Sequence, residues 1–521
     1  MKIKSKTTPA LCCLLAGSSL AVETDRKPNV IVVFVDDLGY ADLGVQGSPD
    51  ARTPNIDALA RGGMRFTDGY VSAPQCSPSR AGLLTGRIQA GFGFETNFGG
   101  ALDPAAAVLG WGVPQDVKMT PDYMKELGYR TGLIGKWHLG YREDQNPVNR
   151  GFDEFLGFMN GGSFFLGRPG GISLMNGLEP IQLKGEAYLT EWIFEQAVDF
   201  INRNHEKPFF LQVSHHAPHP MGYRGTPGRM QERQKYLERC SDIQDPVRKT
   251  MLAMMTAVDD GIPKILNVLK ERGIAENTLI FFASDNGAPS GTDLSMAQNA
   301  SVNHPLAGVK GDILEGGIRV PFIAYWPGTI APGTVVSDPI WTLDILPTAI
   351  EMAGGTIPPG LDGVSLLELL KTGRQANLDQ RTMFWVYGTQ FAARRGDVKI
   401  YSPYKGIVDR YDLRSNMGED RSAIFPDALK GKADTLEKDL FCWAEGLPEP
   451  IWKVFFPEVV LRLFERYNYE GFEEYRPEKI NKDPKFNKWK MARDIYKRSR
   501  GMTMHHPNDF ASALEGAKKK Q

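Results

Sequence analysis

Four apolar, largely β-branched runs, each cut off by polar side chains, constrain this chain more than any other feature. Val30-Ile31-Val32-Val33-Phe34-Val35 runs into Asp36-Asp37, and Thr278-Leu279-Ile280-Phe281-Phe282-Ala283 into Ser284-Asp285-Asn286. Phe209-Phe210-Leu211-Gln212-Val213 runs into Ser214-His215-His216, and Thr131-Gly132-Leu133-Ile134 into Gly135-Lys136. A strand with one wet face alternates apolar and polar residues. A continuous apolar run is what a parallel sheet covered on both faces requires. Helical patterns lie between the runs: Pro54 to Arg61, with proline at its start, then Ala187 to Arg203 and Pro246 to Arg272. The expectation is an α/β fold, a large mixed, mostly parallel sheet flanked by helices on both faces. In such sheets ligands gather at the carboxyl ends of strands, where these polar clusters fall.

The pattern changes after about Leu378. Met383 to Tyr387, Gln390 to Arg394, Lys399 to Tyr401 and Arg410 to Leu413 are short runs separated by turn residues, as in an antiparallel meander. We therefore expect a main domain over 27–380 and a smaller C-terminal α+β domain over 381–521, built on a short antiparallel sheet. From about residue 450 a basic extension has no assigned role. It reads as a solvated face, or less readily as a contact for an anionic polymer. A chain of 521 residues is long enough for this division.

Residues 1–22 read as a signal peptide: Lys2, Lys4 and Lys6 precede the apolar stretch Ala10 to Val22, with Ser19-Leu20-Ala21 offering small residues for cleavage. Spanning a bilayer takes roughly 20 apolar residues, so this stretch is too short and no transmembrane segment is expected. Pro9-Ala10-Leu11 fits poorly with lipidation at Cys12 or Cys13. The protein is expected to be exported, periplasmic or secreted. Cleavage removes three lysines, moving the formal charge from −1 to −4, a balance that does not suggest a nucleic-acid partner. Of the remaining cysteines, Cys240 and Cys442 could pair, but two buried free thiols fit better, since three cysteines are no disulfide framework.

Asp36-Asp37 and Asp285-Asn286 stand at two strand ends. Each alone could be a turn or a helix cap. Together they offer three carboxylates and an amide oxygen, a hard set suited to Ca²⁺ or Mg²⁺ and poor for Zn²⁺. Asp259-Asp260, inside a helical pattern, should cap or pack.

Cys76-Ser77-Pro78-Ser79-Arg80 leads into Thr85-Gly86-Arg87. This C-x-P-S-R-x-x-x-x-T-G-R string resembles the maturation signature of the type I, formylglycine-dependent sulfatases of the alkaline-phosphatase-like superfamily. Further blocks match in family order: Asp36-Asp37-Leu38-Gly39, Gly135-Lys136-Trp137-His138-Leu139-Gly140, Ala217-Pro218-His219, Ser284-Asp285-Asn286-Gly287 and Gly308-Val309-Lys310-Gly311. The likeness spans roughly residues 28 to 445. It departs at Val309, where the family often has Gly or Arg.

The resemblance implies sulfate monoester hydrolysis. A maturation enzyme would convert Cys76 to formylglycine, whose hydrate attacks sulfur with one hydroxyl and releases sulfate through the other. Asp36, Asp37, Cys76, Asp285 and Asn286 would hold one divalent cation, Ca²⁺ in preference to Mg²⁺. Arg80, Lys136 and Lys310 would supply positive charge, His138 would act as base, and His219 with Lys310 would serve the leaving oxygen. His215, His216 and His304 are candidate substrate contacts. The rival readings are a phosphonate monoester or phosphodiester hydrolase of the same superfamily and a non-catalytic binder of sulfated glycans. Export, the extra C-terminal segment and the loop aromatics Phe92, Phe94, Phe98, Trp111, Phe164 and Phe165, which would stack on sugars or as readily plug the core, suit a sulfated polysaccharide or oligosaccharide in preference to small aryl or alkyl sulfates. The oligomeric state is left open.

Overall fold

The computed structural model describes residues 26–98, 110–167, 170–220, 230–289, 299–404 and 406–452, and beyond these 462, 463, 465–468, 470, 473 and 476. The expected signal peptide and most of the basic extension lie outside the described residues.

Among the described residues, ten strands form one mixed sheet. In spatial order they are Thr334–Val336, Met64–Phe66, Phe322–Tyr325, Thr278–Ser284, Asn29–Val35, Phe209–Ser214, Arg130–Lys136, Glu154–Phe158, Ile172–Asn176 and Glu179–Leu183. The five from Thr278–Ser284 to Glu154–Phe158 are mutually parallel and include all four apolar runs. Their register brings the carboxyl ends level: Val35 pairs with Ser284, and Ser214 pairs with both Phe34 and Gly135. Phe322–Tyr325 is antiparallel to both its neighbours, and the Ile172–Asn176 and Glu179–Leu183 pair closes the other edge.

The central strand shows why its run had to be continuous. Val30, Val32 and Phe34 pack into one core layer with Leu83 and Leu84. Ile31, Val33 and Val35 pack into the other with Phe194 and Met251. The helices Leu189–Asn204 and Pro246–Glu271 cover that second face. Each fully buried Val or Phe contributes about 1.5–3 kcal/mol, and a polar residue on either face would forfeit that. Asp259, inside the long helix, accepts from the backbone N–H groups of Asn55 (3.0 Å) and Ile56 (2.8 Å) and so caps the helix Pro54–Gly62.

The expected meander is a separate four-stranded antiparallel sheet, Met383–Tyr387, Gln390–Arg395, Val398–Ser402 and Asp409–Asp412. The helix Lys430–Glu445 buries Ala433, Leu436 and Leu440 in the same apolar cluster as these strands. Trp385 Nε1 donates to the Val71 carbonyl at 2.7 Å, joining this sheet to the segment that precedes Cys76.

Two expectations are corrected. Cys240 is a buried free thiol, but Cys442 is exposed, so the two neither pair nor share a core. Four of the six loop aromatics are core: Phe94, Phe98, Trp111 and Phe165 are buried, and Phe92 and Phe164 are half-buried against the core. Phe94 and Phe98 pack edge-on to Trp452 and Trp111 stacks against it. Among the described residues no helix is long and apolar enough to cross a membrane.

Candidate active site

Asp36 and Asp37 leave the central strand at its carboxyl end, both buried. The chain turns there through a left-handed residue, Asp37 at φ 66°. The neighbouring strand end holds this turn, since Leu38 N–H donates to Ser284 Oγ (3.0 Å) and Asp285 N–H to the Val35 carbonyl (2.9 Å). Cys76 opens the helix Cys76–Thr85, every residue of which is buried. Gly82 permits this, because a Cβ there would lie 2.0 Å from Ser72 Oγ. Beyond Lys136, the last residue of its strand, His138 is also left-handed (φ 59°), and its carbonyl accepts from Ser77 Oγ at 2.6 Å. The Cys76 helix and the Lys136–His138 strand end are thereby hydrogen-bonded to each other.

Lys136 Nζ lies 2.5 Å from Asp36 Oδ2, and Lys310 Nζ lies 2.5 Å from Asp37 Oδ1 and 3.1 Å from Cys76 Sγ. Asn286 Nδ2 donates to Asp37 Oδ1 at 2.7 Å. Arg80 donates to Asp285 Oδ2 from Nη2 (2.7 Å) and Nε (3.0 Å), and its Nη1 donates to Ser214 Oγ. His219 Nε2 is 3.6 Å from Asp37 Oδ2. One oxygen each of Asp36 and Asp37, the Cys76 sulfur and a His219 ring nitrogen lie within 4.8 Å of one another.

Three carboxylates and three cations thus share a buried volume, yet their polar atoms are not all satisfied. Asp36 Oδ1, Asn286 Oδ1 and His138 Nδ1 are buried without a hydrogen-bond partner. Orphaned atoms of this kind cost free energy unless something else binds them. The two oxygens, with the Asp37 and Asp285 carboxylates, are hard donors and fit a divalent cation.

The electrostatics follow from burial set against these charges. Burial opposes ionisation of Asp36, but Lys136, His219, Arg80 and Lys310 hold it well below the usual carboxylate range. Burial and then the Asp36 charge push Asp285 up to about 7, against the pull of Arg80 and Lys136. Burial followed by the Asp36 charge pushes the Cys76 thiol up to about 12, leaving it neutral and a weak nucleophile at ordinary pH. Burial, then Lys136, drives His138 well below the usual imidazole range, and burial takes His219 down to about 4 against the pull of Asp36. Both rings are neutral bases.

A family model, "Sulfatase", matches residues 28–355, more than half of the chain and every residue just described. The chain belongs to the sulfatase family. A second model, the C-terminal region of N-sulphoglucosamine sulphohydrolase, matches residues 310–413, from Lys310 through the four-stranded sheet. N-acetylgalactosamine-6-sulfatase of Rattus norvegicus is 35% identical over 405 residues, 74% of each chain. Arylsulfatase A of Homo sapiens is 33% identical over 384 residues, 69% of this chain and 70% of that one. The crystal structure of Ps i-CgsB in complex with k-i-k-neocarrahexaose superposes with a TM-score of 0.73 at 29% identity, covering 88% of this chain and all of that one. This protein is a sulfuric ester hydrolase of sulfate monoesters. Its family generally uses a divalent metal and formylglycine.

The site residues of this sulfatase, Asp36, Asp37, Cys76, Arg80, Lys136, His138, His219, Asp285, Asn286 and Lys310, meet at the carboxyl ends of the central strands. The other histidines divide. His216 approaches the site, its Nε2 3.3 Å from His219 Nδ1, and stacks on Phe165 at 4.6 Å. His215 is buried against Phe194 with both ring nitrogens unpartnered, and His304 is exposed. Sequence reasoning missed Ser214, which anchors Arg80, and Asn299, whose Nδ2 donates to the Asp37 carbonyl at 3.1 Å. Ser214 ends one of the four recognised strands, so its position was a usable signal. Asn299 follows no motif.

Proposed function

We propose that this sulfatase removes sulfate from a sulfated polysaccharide or its oligosaccharides, with Cys76 matured to formylglycine and Ca²⁺ bound beside it. The observation that carries the reading is the packing of Cys76 Sγ 3.1 Å from Lys310 Nζ and within 4.8 Å of Asp36, Asp37 and His219. As a buried neutral thiol, Cys76 has no evident use for these neighbours. The hydrated aldehyde supplies a nucleophilic hydroxyl and a second hydroxyl whose deprotonation releases sulfate. Asp36, Asp37, Asp285 and Asn286, with the matured Cys76, would hold the cation, which would supply positive charge for the sulfate oxygens. Arg80, fixed by Asp285 and Ser214, orients the nucleophile. Lys136 and Lys310 face the sulfate oxygens, neutral His138 accepts the proton from the second hydroxyl, and His219 with Lys310 attends the leaving oxygen.

The substrate class is supported by the names of the relatives: an N-acetylgalactosamine-6-sulfatase, and a neighbour solved with k-i-k-neocarrahexaose. Buried loop aromatics give it no support. Residues 1–22 form the signal peptide of an exported protein, and the chain divides into 27–380 and 381–521.

Cys76→Ala should abolish turnover with the fold intact, and mass spectrometry of active enzyme should show about 18 Da less at residue 76, as thiol-to-aldehyde conversion requires. Activity with an unmodified thiol overturns the mechanism. Sulfate release from a panel of defined sulfated oligosaccharides, against aryl sulfates and phosphodiesters as comparators, tests the substrate class.

A further inference from the structure

Lys310 sits on a loop, not on a strand or helix, and its aim depends on what holds that loop. Its own N–H donates to the Ala288 carbonyl at 2.9 Å, next to the Asp285-Asn286-Gly287 turn. The Gly311 N–H donates to the Pro74 carbonyl at 2.9 Å, two residues before Cys76. The loop therefore bridges the acidic turn and the start of the Cys76 helix.

A third restraint comes from the other sheet. Gln390 begins the second strand of the four-stranded sheet, just past the tight turn at Gly388-Thr389, and is buried. Its Nε2 donates to the Gly311 carbonyl at 2.9 Å, and its Oε1 accepts from the Ile313 N–H at 3.1 Å. The Tyr401 hydroxyl, on the next strand, donates to the same Oε1 at 2.9 Å and fixes the amide. One side chain thus clamps the backbone on both sides of Asp312, directly after the lysine. Arg462 adds a weaker restraint, with Nη2 3.3 Å from Asp312 Oδ1.

We propose that Gln390, held by Tyr401, is a positioning residue for sulfate ester hydrolysis that sets the aim of Lys310 from the C-terminal sheet. Gln390 touches none of the reacting atoms and acts through Gly311 and Ile313. The proposal rests on the role given above to Lys310 at the sulfate and leaving oxygens. A displacement near 1 Å at a reacting group can cost on the order of 10²-fold, so a loosened clamp is expected to be measurable.

The test is a double-mutant cycle with kcat/KM read on aryl sulfates of differing leaving-group acidity. Gln390→Leu keeps the volume and removes both bonds. It should lower kcat/KM roughly 10- to 100-fold and make the rate more sensitive to leaving-group acidity, while costing nothing further in a Lys310→Ala background. Should Gln390→Leu fail to fold, Gln390→Glu keeps the acceptor for Ile313 and Tyr401, loses the donor to Gly311, and should show the same non-additivity at smaller size. Undiminished kcat/KM, or a loss that adds in full to that of Lys310→Ala, overturns the proposal. A fully active Lys310→Ala enzyme overturns the role of Lys310 first and this proposal with it.

Discussion

Two buried charge clusters in this molecule have the same make-up and different completeness. The active site sets Asp36, Asp37 and Asp285 against Arg80, Lys136 and Lys310. The second cluster, between the helix Glu315–Ile318 and the four-stranded sheet, sets Asp68, Glu315 and Glu419 against Arg319, Arg394 and Lys399. There Lys399 Nζ lies 2.9 Å from Glu315 Oε1 and 2.8 Å from Glu419 Oε1, and the Glu315 N–H donates to Glu419 Oε2 at 2.6 Å. The Tyr70 hydroxyl and Arg319 take Glu315 Oε2, and Arg319 and Arg394 take the two Asp68 oxygens. Every carboxylate oxygen has a hydrogen-bond or ion-pair partner, and Glu419 Oε1, beside Lys399, is buried without accepting a hydrogen bond. In the active site Asp36 Oδ1, Asn286 Oδ1 and His138 Nδ1 have none. Buried charge does not by itself mark a reactive centre. Three unsatisfied polar atoms gathered at one set of strand ends do, because together they leave binding capacity that the fold has not used.

The contrast can be broken from either side, and the larger effect should come from the active site. His138→Asn keeps a side chain that tolerates the left-handed backbone and removes an imidazole with an unpartnered nitrogen. Turnover should fall by on the order of 10²–10⁴, as loss of a general base does, while the melting temperature changes little. Initial rates and thermal unfolding on one preparation separate these outcomes. In the second cluster, Lys399→Met leaves Glu315 and Glu419 facing each other without their shared cation. Stability should drop by about 3–5 kcal/mol, the cost of an uncompensated buried charge, with turnover per folded molecule unchanged. If His138→Asn proves mainly destabilising, or Lys399→Met mainly catalytic, the distinction between the clusters is wrong.

Cation binding sharpens the same comparison at a smaller size. Ca²⁺ at 100 times its Kd should stabilise the wild type by about 2.7 kcal/mol, reversed by a chelator. Lys399→Met should keep the full increment although it starts from a lower baseline, and Asp37→Asn should lose most of it. Thermal shift with and without chelator reads all three.

The part of this design legible in the sequence is the part written in contiguous residues. Val30 to Val35 carries its burial on both faces in its own composition, and Asp36-Asp37 follows at the one end where such a sheet binds ligands. The strands Ile172–Asn176 and Glu179–Leu183 were missed because they pair at an edge with alternating exposure and few β-branched residues. Phe94 and Phe98 misled for a different reason: a loop position says nothing about whether a distant residue such as Trp452 will cover it. Gln390 and Ser214 act on residues 79 and 134 positions away, so their roles exist only once the sheets are assembled. A motif lists what must touch the substrate, and most of what holds those residues in place lies outside it.

A carboxyl outside both clusters gives the smallest test. Glu232 is buried, and its hydrogen bonds come from neutral donors, the Tyr188 hydroxyl at 2.5 Å and the Arg233 N–H at 2.6 Å. The Arg233 guanidinium is turned to Glu191, 2.5 Å away. Burial pushes Glu232 up to about 8 against those hydrogen bonds, whereas Glu315, buried more deeply still, is held down at about 2 by Lys399, Arg319 and Arg394. The two should therefore respond to pH with opposite sign. The Glu315 contribution is present above the unfolded value near 4.5 and lost as the pH falls through about 2. The Glu232 contribution is present below about 4.5 and lost as the pH rises through about 8, at about 1 kcal/mol per pH unit between 6 and 8. Glu232→Gln keeps both contacts, its oxygen accepting from Arg233 N–H and its amide donating to the Tyr188 oxygen, and it cannot ionise. The stability difference between this variant and the wild type should grow from pH 6 to pH 9 in favour of the variant. A difference that stays flat over that range would show that Glu232 is already ionised, and that burial without a bonded cation does not separate it from the two clusters.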